Sequence, residues 1–196
     1  MNELPKAQVK WDKRYQDKAA APNSPSAPQY LQRNWKSLRS GRALDLAAGD
    51  GAVSLYLADK GFDVSAVDIS TVGLSLLNEN MKQQGYEVST SAMDLECAEA
   101  DLSSLGLFDS IVISRYKPID LLWPKLIDLL KPEGTLLITT FNLMHHQRTG
   151  FSQRFCLQPN EYIDRFNGLS LLSYEADIDA SGEDGYLFAK KSAESG

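Results

Sequence analysis

The stretch Arg42 to Ser70, RALDLAAGDGAVSLYLADKGFDVSAVDIS, constrains this chain more than any other. Arg42 to Ala47 is a short apolar run carrying one acid, Asp45, and reads as a strand. Ala48-Gly49-Asp50-Gly51 is a turn nearly free of side chains. From Ala52 to Lys60, apolar residues recur on a helical period, and Gly61 is placed to end that helix. Phe62 to Val67 alternates as a strand does, and Asp68 closes it. A strand, a glycine turn and a helix N-terminus in this order form a cradle for a nucleotide-like ligand. An acid at the end of the next strand stands where ribose hydroxyls are held.

The remaining chain extends this unit. Pro5 to Asp17 predicts a helix with Val9, Trp11 and Tyr15 as its larger apolar residues. Lys18 to Pro28, rich in Pro, Ser and Ala, reads as a loop, and Gln29 to Ser40 as a second helix. After Asp68, Ser70 can cap a helix reaching Gln84. Strands are expected at Tyr86–Met93, Phe108–Ser114 and Gly134–Phe141, with a helix over Pro118–Lys131 between the last two. Asn142 to Cys156 reads as a long polar loop and Pro159 to Phe166 as a helix. Leu169–Tyr174 and Gly185–Lys190 form a final strand pair with no helix between, hence antiparallel. Strands alternating with helices imply a doubly wound α/β fold, a mostly parallel sheet covered on both faces. Residues 1–40 are expected to cover the ligand site as part of the same domain as residues 41–196.

Bulk properties narrow the function classes. At 196 residues the chain is one domain, able to bury roughly 70% of its unfolded surface without staples. The net charge of -6, with no Lys/Arg cluster, disfavours a nucleic-acid partner. Cys97 and Cys156 lie in no metal-ligand spacing and the two histidines are adjacent, so no metal is expected. The N-terminus lacks the apolar core of a signal peptide, and no run approaches a membrane span. The expected location is the cytoplasm, with reduced thiols, as a monomer or weak homodimer.

In a doubly wound sheet the ligand lies at the carboxyl ends of the strands. That rule selects Ala47 to Gly51, Asp68-Ile69, Asp94-Leu95, Ser114-Arg115-Tyr116 and Phe141-Asn142. A side chain at Gly49 or Gly51 would block approach to the backbone; the plainer alternative is a turn that needs positive φ. Asp45 can hold amides of the turn or a ligand ammonium. Asp68 can accept from two ribose hydroxyls; the plainer alternative, a helix N-cap, is a role Ser70 already fills. Asp94 can accept from an adenine amine, with the Leu95 backbone near the ring. Trp11, Tyr15 and Tyr116 are candidates to wall the site, where an aromatic face favours a cation; core packing is their alternative. Arg14 can pair with Asp12 or with an acid of the turn. Arg115 can take an anionic acceptor, and His146 in the long loop can act as a base.

Taken together, these motifs resemble the class I S-adenosylmethionine-dependent methyltransferases. The glycine-rich motif stands as Asp45-Leu-Ala-Ala-Gly49-Asp-Gly51, and the acids after the second and third strands match Asp68 and Asp94. Trp11-Asp12-Lys13-Arg14-Tyr15 narrows the resemblance to the small bacterial group similar to the tellurite-resistance and thiopurine-type enzymes. The resemblance implies a Rossmann-like seven-stranded sheet in the order 3-2-1-4-5-7-6 with strand 7 antiparallel. It also implies S-adenosylmethionine as cofactor, S-adenosylhomocysteine as product and a methyl acceptor. The implied cofactor set is Trp11, Tyr15, Asp45, Ala47, Gly49, Gly51, Asp68, Ile69, Asp94, Leu95 and Ser114, with Tyr116, Arg115 and His146 on the catalytic side. Ala47 stands where the group has glycine; a negative φ there is tolerated by alanine, and a positive one is expected to weaken cofactor affinity. The motif that marks base-amino methylation is absent after the fourth strand, where Ser114-Arg115-Tyr116-Lys117-Pro118 stands instead.

The leading expectation is direct in-line methyl transfer to a small molecule. A module that holds the adenosyl cofactor without turnover, and a methyltransferase for RNA or protein, are the alternatives. A nicotinamide dehydrogenase fits less well, because Asp50 would repel a pyrophosphate and Ser54 replaces the third glycine of that motif.

Overall fold

The computed structural model describes residues 4–19 and 26–192; most of the Lys18–Pro28 loop lies outside the described residues. Seven strands form one sheet: β1 (Arg42–Leu46), β2 (Asp63–Asp68), β3 (Ser89–Ala92), β4 (Phe108–Ser114), β5 (Leu130–Phe141), β6 (Leu169–Glu175) and β7 (Glu183–Lys190). Six helices accompany them: α1 (Lys6–Ala19), α2 (Gln29–Asn34), α3 (Ala52–Asp59), α4 (Thr71–Gln83), α5 (Leu122–Leu129) and α6 (Leu143–Thr149). The strand order is β3-β2-β1-β4-β5-β7-β6. The first five strands are parallel, and β7 runs antiparallel to both β5 and β6.

Both faces of the sheet are buried, as the apolar central strands require. Leu44, Leu46, Ile111, Ile113, Leu136 and Ile138 share one core with Trp123 and Leu126 of α5. Their neighbours Ala43, Val112 and Leu137 point to the other face, against Tyr30 and Leu31 of α2 and Val53 and Leu57 of α3. Leu74, Leu77 and Met81 of α4 close a third cluster on Ala66. The period-2 alternation therefore feeds two layers rather than one.

Several elements differ from the sequence expectation. The second helix stops at Asn34 and tightens to a 3₁₀ turn over Trp35–Ser37. The third strand keeps only Ser89–Ala92, because Tyr86 N–H turns back to the Met81 carbonyl at 2.9 Å to close α4. The fifth helix begins at Leu122, which puts Pro124 in the first turn, where its missing N–H is not needed.

Two further elements change type. The expected loop after β5 contains α6: Asn142 Oδ1 accepts from Met144 N at 2.9 Å and His145 N at 3.3 Å, and Gly150 in a left-handed conformation ends the helix. Pro159 to Phe166 is a run of turns instead of a helix. Asn160 and Asp164 adopt positive φ there, and Tyr162 is drawn into the core against Trp123, ring centroids 5.0 Å apart.

Candidate functional site

The carboxyl ends of β1, β2, β3, β4 and β5 form one edge of the sheet, and the antiparallel β7 begins on that same edge, Glu183 facing Phe141. The turn after β1 is held by its own chain. Gly49 N donates to Asp68 Oδ2 at 2.8 Å, and Gly51 N donates to the Ala48 carbonyl at 3.0 Å. Asp68 Oδ1 accepts from Ser70 N at 2.8 Å. The Asp68 carboxylate thus ties the turn to the start of α4. Burial raises its pKa, the backbone bonds from Ser70, Gly49 and Ile69 oppose that rise, and the Asp12 charge adds to it.

Asp45 does not reach the turn amides. It lies on the α3 face of the sheet, fully buried, and accepts from Ser54 Oγ at 2.7 Å. Ser54, read in the sequence as a poor third glycine, is the partner that makes a buried acid tolerable. Desolvation pushes the Asp45 carboxyl up to about 7, against the Ser54 bonds. Ala47 has φ of 60°, the case in which the sequence expectation is weaker cofactor affinity. The turn demands a left-handed residue there, and alanine takes it at a steric cost of about 1 kcal/mol.

The N-terminal helix docks over this turn. Tyr15 lies where a side chain on Gly49 would have to go, so its hydroxyl fills the space that glycine leaves open. Gly73, in the first turn of α4, is tightly placed as well: a Cβ there would stand 3.0 Å from both the Tyr15 ring and the Gly49 carbonyl, so one of them would have to shift. Burial and then the charges of Asp68 and Asp50 hold the Tyr15 phenol well above its ordinary pKa, so it remains a donor. Asp12 does not pair with Arg14. It accepts from Ser70 Oγ at 2.6 Å and from Val72 N at 3.2 Å, capping α4, while Arg14 lies over the Trp11 ring at 5.1 Å. Trp11 in turn stacks on Tyr15 at 6.2 Å. Lys18 pairs with Asp50, which offsets the negative charge expected to stand free in the turn.

At the next strand ends, Ile69 is half-buried and Asp94 Oδ1 accepts from Glu96 N at 3.0 Å. The Leu95 side chain is buried in the main core. After β4, Ser114 is half-buried and Arg115 has φ of 53°. Its Nε donates to Glu183 Oε1 at 2.8 Å, so the guanidinium already has an anionic partner. The Tyr116 hydroxyl is buried with no hydrogen-bond partner among the described residues. Burial, then the charges of Glu96, Asp94 and Asp68, raise its pKa, which keeps it protonated. His146 sits in α6 with Nδ1 2.6 Å from the Phe151 carbonyl. A carbonyl only accepts, so Nδ1 donates in this contact and Nε2 is the ring nitrogen left to other partners.

Sequence reasoning passed over Gly73, Glu183 and Asp184, and gave Asp12 and Asn142 no capping role. Asn142 Nδ2 donates to the buried Asp184 Oδ1 at 2.6 Å, so the α6 cap is itself anchored on β7. Asn142 before a short run ended by Gly150 was a readable capping signal. Glu183 and Asp184 had none, because only an antiparallel β7 brings them to this edge.

Among the described residues no cluster of His, Cys, Asp and Glu is arranged to hold a metal, and no helix is long and apolar enough to cross a membrane. The model of the tellurite resistance protein TehB family matches residues 13–183. YqeM of Bacillus subtilis is 33% identical over 106 residues, 50% of this chain and 41% of the relative. A ubiquinone biosynthesis O-methyltransferase of Bordetella avium is 25% identical over 169 residues, 84% of this chain and 67% of the relative. The chain spans about half the length of the first curated relatives it matches, between 41% and 56%. The crystal structure of TehB from Haemophilus influenzae superimposes with a TM-score of 0.65 at 18% identity, over 92% of this chain and 67% of that one. The glycine turn, the acids on successive strand ends, the 3-2-1-4-5-7-6 sheet and a family match across nearly the whole chain agree, and the chain belongs to the TehB family of class I S-adenosylmethionine-dependent methyltransferases.

Proposed function

We propose that this protein binds S-adenosylmethionine along the edge from Tyr15 to Tyr116 and transfers its methyl group to a small-molecule acceptor. The observation that carries the cofactor choice is the state of the turn. The amides of Gly49 and Gly51, which a pyrophosphate would need, are spent on Asp68 and Ala48. The free donors are instead the Tyr15 and Tyr116 hydroxyls, and the acids stand at Asp68 and Asp94. That set suits an adenosyl ligand carrying an amino-acid end better than a dinucleotide.

When bound, the cofactor supplies a methyl group on a positively charged sulfur. The chain's own work is placement and exclusion of water. Asp68 keeps a lone pair for ribose hydroxyls beside its backbone bonds, and Asp94 stands on the adenine side with Ile69 and Leu95. Tyr15, held protonated, donates at the turn, with Trp11 stacked behind it. Ser114 and Tyr116 close the opposite wall. Arg115 and the free Nε2 of His146 are the acceptor-side groups, one to orient and one to take a proton.

A second reading, a module that binds the cofactor without turnover, is favoured by two observations. Arg115 is already paired with Glu183, and His146 is held within α6 by the Phe151 carbonyl. Titration calorimetry with S-adenosylmethionine, S-adenosylhomocysteine and NAD tests the cofactor; binding of NAD alone would overturn it. A transfer screen with labelled cofactor against thiols, oxyanions, small amines and total RNA tests the acceptor. Label in RNA alone would replace the small-molecule reading, and label in no class would leave the binding module.

A further inference from the structure

Arg115 is a non-glycine residue in the left-handed region, φ 53°, immediately before Tyr116. A side-chain-bearing residue persists there only when its surroundings over-determine it. Two contacts do so. The Arg115 backbone N donates to the Thr139 carbonyl at 2.8 Å, continuing the β4–β5 ladder by one residue. The Arg115 Nε donates to Glu183 Oε1, also at 2.8 Å. Glu183 is the fixed member of this pair: its side chain is 11% exposed against 55% for that of Arg115. It stands in register with Phe141, and its own backbone N donates to Ser181 Oγ at 3.1 Å. The carboxylate is therefore built into the sheet, and the arginine reaches to it.

We infer that Glu183 is a positioning residue: by clamping Arg115 in its left-handed conformation it turns the chain after β4 so that the buried Tyr116 hydroxyl is presented, unpartnered, on the ligand edge. Without the clamp the backbone at residue 115 relaxes toward negative φ, and the following residue rotates with it. This rests on the reading of Tyr116 as a wall of the cofactor site. The clamp acts through a charge-assisted bond, so glutamine should replace it poorly and aspartate better.

The test uses the full chain with 3-fluorotyrosine placed at position 116, read by its ¹⁹F shift without ligand, and calorimetric S-adenosylhomocysteine affinity as the second readout. Glu183→Gln is expected to move the ¹⁹F signal toward that of exposed fluorotyrosine and to weaken S-adenosylhomocysteine about tenfold, the lower range for a bond to a charged group. Glu183→Asp should keep most of both readouts. In an Arg115→Gly background, where positive φ needs no clamp, Glu183→Gln should change neither readout further. An unchanged ¹⁹F signal in Glu183→Gln, or an equal change in the Arg115→Gly background, overturns the inference. Failure of the unmodified chain to bind S-adenosylhomocysteine would overturn the cofactor reading instead, and the ligand-free ¹⁹F comparison would still decide this one.

Discussion

At the scale of single residues, the site is built from groups held in costly states. Asp45 is fully buried with its carboxyl at about 7 instead of its ordinary 3.8. The folded chain therefore keeps a proton that the unfolded chain releases between these values. This group's contribution to stability is complete below about pH 4 and is lost as pH rises through about 7. Urea unfolding should give a stability about 2–3 kcal/mol lower at pH 8 than at pH 5 from this group. Asp45→Asn, which can still accept from Ser54, should remove that share of the slope; an unchanged slope would mean Asp45 is ionised throughout. Ala47 is the second case. With φ at 60° it carries the strain that glycine avoids. Ala47→Gly should raise stability by about 1 kcal/mol in the same measurement. A lower stability would show that the methyl group is packed rather than strained.

At the scale of elements, the contrast lies between the sheet and α1. No residue of α1 is buried, and the helix is held by Asp12 on the α4 cap, Lys18 on Asp50 and Tyr15 in the space left by Gly49 and Gly73. An element with so little buried surface opens at a small fraction of the global free energy. Gly73→Ala separates local from tertiary demands. Alanine is the better helix former by about 1 kcal/mol, yet its Cβ needs the space of the Tyr15 ring. Hydrogen exchange should show α1 amides exchanging faster in Gly73→Ala while those of α4 do not. Slower or equal exchange in α1 would mean that Tyr15 yields without displacing its helix. Equal exchange protection of α1 and of the sheet in the parent chain would support our proposal that α1 folds as one domain with the sheet.

At the scale of the whole molecule, binding and stability are linked. S-adenosylhomocysteine at about one hundred times its Kd should stabilise the chain by about 2.7 kcal/mol, read as a shift in the urea midpoint. If α1 covers the site, the same addition should slow proteolysis within α1 in parallel with exchange in the Gly49–Gly51 turn. Protection of the turn without protection of α1 would leave the N-terminal helix outside the site.

The sequence alone carried the strands and the alternation of helices and turns that joins the first five of them, because those depend on neighbours a few residues apart. Apolar alternation, glycine turns and terminal acids at Asp68 and Asp94 are local signals. Capping by Asn142 was equally local and was passed over beneath a polar run. What the sequence could not express is contact between distant segments. Tyr15 of α1 over Gly49 and Glu183 of β7 beside Arg115 join segments far apart in the chain, and Ser54 meets Asp45 only once α3 has packed back on β1. Their roles follow from desolvation and from backbone conformations that only the assembled sheet imposes. The cofactor was therefore legible from the chain, whereas the supports that hold its site in place were decided by tertiary structure.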